Sequence, residues 1–352
     1  MVRRRVEVTG GVDTHKDTHT AAVLDSAGRV LGTEQFTTTR AGFAALLAWL
    51  RGFGTLQKVG VEGTGAYGSG LTRFLSDAGV TVIEVDRPDR KTRRRQGKSD
   101  PIDAVSAARA VLAGIRTGIP KQRDSRVEAL RNLRVARRSA VADRADAVRQ
   151  MHTLVITAVD EVRDQLRGRS TAALVKVCAA AAPKTTDVAD PAVAVLIALR
   201  SLARRHQQLT AEITDLEKLI TPLVEQINPN LLELKGVGPD TAGQLLVTAG
   251  ANTDRLRCEA AFAMLCGTTP LPASSGKTNR HRLNRGGDRQ ANAALYRVVI
   301  SRLRWDQRTR DYMDRRTKEG KTNKEIIRCL KRYIAREIYQ QLNPPRPAPT
   351  PA

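Results

Sequence analysis

Residues 6–38, VEVTGGVDTHKDTHTAAVLDSAGRVLGTEQFTT, decide the fold class of this chain. Three runs rich in apolar and β-branched residues lie in this stretch, at Val6–Asp13, Thr18–Asp25 and Val30–Thr38. Ser26-Ala27-Gly28, between the second and third runs, is typical of a tight turn. The stretch therefore predicts three consecutive antiparallel strands.

Strand and helix patterns alternate in the residues that follow. We predict a helix at 40–51, a strand at 58–62, a helix at 64–78, a strand at 80–85 and a helix that begins at Asp100-Pro101 and ends near 113. Such alternation after a set of antiparallel strands indicates a mixed α/β sheet.

Most of the remaining sequence has a helical pattern. Long charged segments at 124–168 and 190–225 predict a helical hairpin or coiled-coil arm, with its turn within 179–191. LLELKGVGPDTAGQLL at 231–246 predicts a helix-hairpin-helix element, although a plain αα-hairpin with a glycine turn fits as well. The domains predicted are 1–120 (α/β), 121–228 (the arm), 229–342 (mostly α-helical, with the helix-hairpin-helix) and 343–352 (a disordered tail).

The charge balance predicts a polyanionic partner. The chain has 59 Lys+Arg against 36 Asp+Glu, a formal net charge of +23, which favours a nucleic acid. The residues predicted to contact nucleic acid are Arg93, Arg94, Arg95 and Lys98 in a basic loop, and Lys277, Arg280, Arg282 and Arg285 farther along the chain. Trp305, Tyr296, Tyr312 and Tyr333 lie among these later charges and either stack on bases or pack in a core.

The cysteines and the apolar segments bear on location. The four cysteines form no CxxC pair, so neither a zinc site nor a disulfide framework is predicted. No apolar run approaches the roughly 20 residues of a membrane span, and no signal-peptide pattern begins the sequence. We expect a cytoplasmic, nucleoid-associated protein with no membrane partner.

Four acids fall at positions that a metal-dependent phosphodiester chemistry would use. Asp13 and Glu62 end predicted strands, and Asp100 and Asp103 lie three apart on one face of a helix. Like charges brought together favour divalent cations, and two Mg²⁺ ions about 3.5–4 Å apart can hold the attacking and leaving oxygens of a phosphodiester. Each acid alone is better explained as a turn former or helix cap. Together, in this order of elements, they fit the layout of an RNase H/RuvC-like nuclease.

Three strings that contain these acids resemble the DEDD transposases of insertion sequence family 110. They are GVDTHKDTHTAAV at 11–23, VGVEGTGAYG at 59–68 and GKSDPIDAVSAARA at 97–110. The resemblance extends over nearly the whole chain. It implies a RuvC-like domain in which Asp13, Glu62, Asp100 and Asp103 are catalytic and bind Mg²⁺.

A serine pair in the C-terminal half also bears on function. Ser274 and Ser275 lie in a Pro- and Gly-flanked loop ahead of several basic residues, and residue chemistry alone favours a simple turn. The block SSGK at 274–277 followed by GGDRQANAALY at 286–296 resembles the family's C-terminal block with its catalytic serine. Ser275, which precedes Gly276, matches best as the nucleophile, and Ser274 stays as an alternative.

The resemblance implies a recombinase that acts on insertion-sequence ends and target DNA through a covalent phosphoserine link. It further implies a structured bridge RNA as guide, and a homodimer or homotetramer that joins two DNA partners. Two other hypotheses remain open: a RuvC-like endonuclease that hydrolyses DNA with metal-activated water, and a non-catalytic nucleic-acid-binding protein. A covalent protein–DNA adduct would distinguish the recombinase from both of these alternatives.

Overall fold

A five-stranded sheet forms the centre of the N-terminal part of the chain. The computed structural model describes residues 6–85, 99–115, 117–123, 125–184, 186–277 and 281–343. The strands are β1 (Glu7–Thr14), β2 (Thr18–Asp25), β3 (Val30–Thr37), β4 (Thr55–Glu62) and β5 (Thr81–Val85), in the order β3-β2-β1-β4-β5. β1, β2 and β3 pair antiparallel, whereas β4 is parallel to β1 and β5 is parallel to β4. The predicted mixed α/β sheet is confirmed.

One face of the sheet is covered by two amphipathic helices, α1 (Arg40–Gly52) and α2 (Ser69–Asp77). Thr39 caps α1 by accepting a hydrogen bond from the amide of Gly42. Leu46 and Leu50 of α1 and Leu71 of α2 are fully buried against valines of β1 and β4. Burial of a leucine side chain stabilises the fold by roughly 1.5–3 kcal/mol, so this layer is a major source of the sheet's stability.

The other face holds α3 (Asp100–Leu112), which lies unusually close to the strands. A Cβ atom built on Gly11 of β1 would lie 2.3 Å from the carbonyl oxygen of Ala104, and one on Gly60 of β4 would lie 2.7 Å from Val111 Cγ2. Gly11 and Gly60 are direct neighbours in the register of β1 and β4. Because neither residue has a side chain, the backbone of α3 can contact the backbone of the sheet.

The chain divides into two compact units, and the first is discontinuous. Unit 1 comprises Met1–Ser125 and Ala249–Cys258, and unit 2 comprises Arg126–Thr248 and Glu259–Ala352. Within unit 1, the side-chain amide of Asn252 accepts from the amide of Gln122 and donates to the carbonyl of Pro120, each at 3.0 Å. The positive charge of Arg255 also interacts with Glu84. The sequence patterns did not indicate that 249–258 would pack with the sheet.

Unit 2 contains two long helices, α4 (Arg126–Thr157) and α7 (Pro191–Ile227), packed side by side. The pair is antiparallel, because Arg137 contacts Glu217 whereas Arg144, seven residues later, contacts Thr210, seven residues earlier. Three buried residues of α7, Leu199, Ile213 and Ile220, are also separated by multiples of seven positions. The helices α5 (Asp160–Leu166) and α6 (Thr171–Ala180) connect the pair and share a buried apolar cluster with its ends.

Short and medium helices complete unit 2. They are α8 (Asn230–Glu233), α9 (Pro239–Ala249), which ends at the boundary with unit 1, α10 (Glu259–Leu265), α11 (Arg289–Trp305), α12 (Gln307–Lys318) and α13 (Asn323–Leu342). A two-stranded ribbon, β6 (Leu271–Pro272) with β7 (His281–Arg282), follows α10. α13 begins with a capping box between Thr322 and Glu325, and its apolar face is buried.

An ion cluster forms at the first turn of α9, within the segment predicted as a helix-hairpin-helix. Asp240 Oδ1 accepts from Arg134 and from Arg137, at 2.8 Å each, and Arg297 lies 3.1 Å from Oδ2. Arg134 also donates to Gln244 Oε1 at 3.2 Å. The aspartate therefore connects α4, α9 and α11 inside unit 2.

The α/β domain followed by mainly helical structure agrees with the predicted fold class. The coiled-coil and helix-hairpin-helix assignments stay predictions, as do the domain boundaries at 120, 228 and 342. The basic loop 87–98 and the tail 344–352 lie outside the described residues. No helix in the described part of the chain combines the length and the apolar character that a bilayer span requires.

Candidate metal centre and basic cleft

Strand geometry places Asp13 and Glu62 on the same face of the sheet. Side chains alternate between faces, so Asp13 shares a face with Gly11, and Glu62 shares one with Gly60. Both glycines face α3. The ends of β1 and β4 are joined by a 2.8 Å hydrogen bond from Thr14 Oγ1 to the carbonyl of Glu62. Asp13 is 7% exposed and Glu62 is half-buried.

The remaining two acids belong to the first turn of α3. The helix begins at Asp100 with Pro101 in its first turn, an arrangement that proline's fixed φ angle favours. Asp103 is 3% exposed, and Asp100 is half-buried. Since the amide groups at a helix N-terminus favour negative charge, this is a suitable position for two carboxylates. The glycine contacts described above hold this helix against the strands that end in Asp13 and Glu62.

His15 is a member of the cluster that the sequence reasoning missed. Its Nε2 atom lies 3.3 Å from Asp13 Oδ2 and 3.2 Å from Asp100 Oδ1. The signal was present, because a residue two positions after Asp13 in an extended segment projects to the same side. It was overlooked because the predicted strand ended at Asp13.

The Asp13 carboxyl is electrostatically crowded. Burial raises its pKa above the ordinary value; His15 opposes that shift, and the charges of Asp103 and Asp100 increase it. The carboxylate thus costs free energy in the absence of a cation. A positive ion among these groups would remove that cost.

The donor atoms fit a divalent metal ion. Ligand atoms of Asp13, His15 and Asp100 all lie within 4.8 Å of one another, and carboxylate oxygens are the ligands that Mg²⁺ and Mn²⁺ prefer. Asp103 is close enough to Asp13 to affect its pKa. The structure therefore brings Asp13, Asp100 and Asp103 together, with Glu62 at the end of the adjacent strand.

The two candidate nucleophiles belong to unit 2, whereas the acid cluster belongs to unit 1. Ser274 and Ser275 are exposed residues of the connection between β6 and β7. Gly276, directly after Ser275, has a φ of +53°, a left-handed conformation that glycine adopts readily. The described part of the connection, up to Lys277, is exposed to solvent.

A basic cleft of about 610 Å³ lies beside the ribbon in unit 2. No carboxylate is among its described lining residues. Its cations are Arg282, Arg285, Arg289, Arg328, Lys331, Arg332 and Arg336. Two of these cations, Arg332 and Arg336, form ion pairs with Glu259, which does not line the cleft.

The residues predicted to contact nucleic acid are only partly visible. Arg282 and Arg285 line the basic cleft, and Lys277 is exposed in the β6–β7 connection. Arg93, Arg94, Arg95, Lys98 and Arg280 lie outside the described residues.

Both units match transposase families in sequence. Residues 10–158 match the family model described as transposase, of the DEDD type of IS110, and residues 228–314 match the one described as transposase of the IS116/IS110/IS902 family. The chain belongs to the IS110 family of transposases. The first match includes all four acids, and the second includes the serine loop.

A curated relative agrees with this membership. The "Insertion element IS110 uncharacterized 43.6 kDa protein" of Streptomyces coelicolor is 33% identical over 161 residues. The match covers 45% of this chain and 37% of the relative, so it spans well under half of that protein's length. Divalent metal dependence is what a DEDD-type family implies, and the acid cluster provides a candidate site.

Proposed function

We propose that this IS110-family protein is a DNA transposase that cleaves and rejoins strands at the ends of an insertion sequence and at its target. The observation that carries the proposal is the convergence of acids from β1 and α3 beside the end of β4, in a chain that matches transposase families in both units. Phosphodiester exchange at such a centre is a chemistry that clustered carboxylates support.

The acids serve this function by binding Mg²⁺. Asp13, Glu62, Asp100 and Asp103 would hold it, and its chemistry there would be to neutralise charge on a phosphoryl group. Burial of Asp13 and Asp103 fixes their orientation, since buried side chains have few alternative conformations. His15 keeps the carboxylates of Asp13 and Asp100 at one point.

Ser275 acts as the nucleophile in the proposed reaction. Its Oγ atom loses its proton and forms a bond to phosphorus, the bond from phosphorus to a sugar oxygen breaks, and that oxygen takes up a proton. Attack by a sugar hydroxyl of a second strand then reverses these steps and frees the serine. Exposure of Ser275, and the presence of the β7 residues His281 and Arg282 in the lining of the basic cleft, support this role.

The partners proposed are DNA and a structured bridge RNA. The cations of the basic cleft, together with Lys277 and the predicted loop residues, would contact phosphates, and the segment 231–246 would add helix-hairpin-helix contacts. The antiparallel pair α4 and α7 is proposed as a coiled-coil arm of a dimer or tetramer, because two of its polar contacts lie seven residues apart on both helices. Such a protein would reside with the nucleoid.

A denaturation-resistant protein–DNA adduct tests the proposal. The protein is incubated with Mg²⁺, labelled insertion-sequence ends and the RNA transcribed beside its gene, and the products are separated under denaturing conditions. We expect an adduct with the wild type and with Ser274→Ala, and none with Ser275→Ala or Asp13→Ala. The Ser274→Ala variant is the matched control, since it changes the neighbouring exposed hydroxyl.

The other outcomes separate the rival functions. Cleavage without an adduct, unchanged in Ser275→Ala and lost in Asp13→Ala, would assign a hydrolytic endonuclease instead. Binding without cleavage under any metal condition would favour a non-catalytic nucleic-acid-binding protein.

A further inference from the structure

The basic cleft carries an excess of positive charge that contacts within unit 2 do not neutralise. Seven Lys and Arg side chains line it, and Glu259 is the acid seen to contact two of them, Arg332 and Arg336. Among described residues, no carboxylate forms an ion pair with Arg328 or Lys331, and Glu325 is the acid whose pKa the charge of Arg328 lowers. A polyanion is therefore the class of ligand that this cleft fits.

Lys331 is a cation of the cleft that a hydrogen bond holds in position. Its ammonium group is half-buried and donates to Asn292 Oδ1 at 2.8 Å. The amide nitrogen of Asn292 donates to the carbonyls of Cys266 and Gly267, at 3.0 Å each, and these bonds direct Oδ1 toward the lysine. A neutral amide orients the ammonium group without cancelling its charge, which remains available for an anion.

Two glycines in the lining of the cleft lie in close contact. A Cβ atom on Gly287 would lie 2.2 Å from the backbone nitrogen of Gly267. The next residue, Asp288, caps α11 through the amides of Gln290 and Ala291 and accepts from Thr248 at 2.7 Å. The GGDRQAN string thus builds a fixed support for Asn292, which in turn orients Lys331.

An exposed aromatic ring borders the same cleft. Tyr333 is 47% exposed, and it lines both the basic cleft and an adjoining depression along α12 and α13. Tyr312 packs edge-on against it, with ring centroids 5.6 Å apart and planes at 82°, so the orientation of the ring is fixed. An oriented, accessible ring beside cations is the arrangement that stacks an unpaired base.

We propose that the basic cleft binds a single strand of nucleic acid, with a backbone phosphate at Lys331 and Arg328 and an unstacked base on Tyr333. This rests on the proposed function for the nature of the polyanion, and it adds the strand state and the contacts. Within a duplex the interior bases are stacked on both faces, so only a terminal base pair could present a face to Tyr333. DNA and RNA strands share the required chemistry.

Equilibrium binding by the full-length protein tests the proposal without any cleavage step. Fluorescence anisotropy is measured with short labelled oligonucleotides of one sequence, as single-stranded DNA, single-stranded RNA and blunt DNA duplex, over a series of salt concentrations. 2-Aminopurine within the single strands reports stacking. Matched controls are Lys318→Gln, at the exposed end of α12, and Tyr296→Leu, on α11 and 45% exposed.

We expect Tyr333→Leu to weaken single-strand binding on the order of 5- to 150-fold and to abolish 2-aminopurine quenching. Lys331→Gln should weaken binding and reduce the slope of log affinity against log salt by about 0.7, the value for one phosphate contact on a single strand. Lys331→Arg should restore that slope, and both controls should bind like the wild type. The tighter of the DNA and RNA strands identifies the natural occupant.

Two results would overturn the inference while leaving the proposed function intact: variants that bind single strands as tightly as their controls do, or a duplex that competes equally and depends on Tyr333 to the same extent. Absence of binding to any nucleic acid by the wild type would instead contradict the proposed function itself. Circular dichroism and melting curves of each variant exclude misfolding as the cause.

Discussion

Replacement of Asp240 by asparagine should destabilise unit 2 substantially. The carboxylate accepts from Arg134 and Arg137 and lies 3.1 Å from a nitrogen of Arg297. Only 11% of the Arg134 side chain is exposed, so its charge would lose its partner in a largely dry environment. Burial alone would raise the pKa of the Asp240 carboxyl, but the three arginines together hold it below its ordinary value.

The magnitude follows from the geometry. Removing one partner of a buried ion pair costs about 3–5 kcal/mol, and the 32% exposure of Asp240 reduces this to about 2–4 kcal/mol. For a unit of this size, that loss lowers the melting temperature by roughly 4 to 16 °C. Calorimetry of wild type and Asp240→Asn measures it. The control is Asp215→Asn, whose partner Lys218 is 70% exposed, and it should change stability by less than about 1 kcal/mol.

The pH dependence gives a second readout. Because the folded-state pKa is lowered, the stabilisation is present above the ordinary pKa of aspartate, about 3.9, and is lost as the pH falls through the lowered value. The difference between wild type and variant should therefore shrink in acid. An Asp240→Asn protein that melts at the same temperature as the Asp215→Asn control at pH 7 would refute the reasoning, and would leave the segment 231–246 with its proposed nucleic-acid contacts alone.

Further predictions concern unit 1. Asp13→Asn should raise the melting temperature in EDTA at pH 7, since the raised pKa of Asp13 means that its buried carboxylate opposes folding at that pH. The substitution should also abolish the added stability that Mg²⁺ confers. A lower melting temperature in EDTA would contradict this prediction. His15→Gln should weaken Mn²⁺ binding about tenfold or more by titration calorimetry, as loss of a metal-site contact commonly does; unchanged affinity would make His15 a partner of the acids only. Gly11→Ala should destabilise by about 3 kcal/mol or more in chemical denaturation, because its methyl group would overlap the Ala104 carbonyl; a wild-type midpoint would show that α3 can shift freely.

Local signals predicted unit 1 well. Each predicted strand of the meander agrees with the structure to within one residue, because alternating side chains and the Ser26-Ala27-Gly28 turn are encoded over short distances. The predicted positions of Asp13 and Glu62 at strand ends also agree with the structure, since β1 ends one residue after Asp13 and β4 ends at Glu62. His15 was missed because it lies just beyond the end of β1, in the connection to β2, where no strand pattern draws attention to it.

Long-range contacts account for most of what the sequence did not indicate. Asp240 contacts Arg134, 106 positions earlier, and such ion pairs leave no local pattern. Asn252 binds the chain near Pro120, so 249–258 joins the sheet although its neighbours in sequence do not. Helical spacing favoured a core position for most of the aromatic residues in this region, yet Tyr333 is 47% exposed, because spacing alone does not show which neighbours will cover a ring.

The contact between α3 and the two strand glycines bears on how copies of such a gene lose activity. Gly11 and Gly60 set the distance between the helix that carries Asp100 and Asp103 and the strands beneath it. A single change at Gly11 would tilt that helix while leaving every acid in the sequence. A survey that classifies genomic copies as active from their acidic signature alone would therefore count such decayed copies as intact, and the glycines should be included in that test.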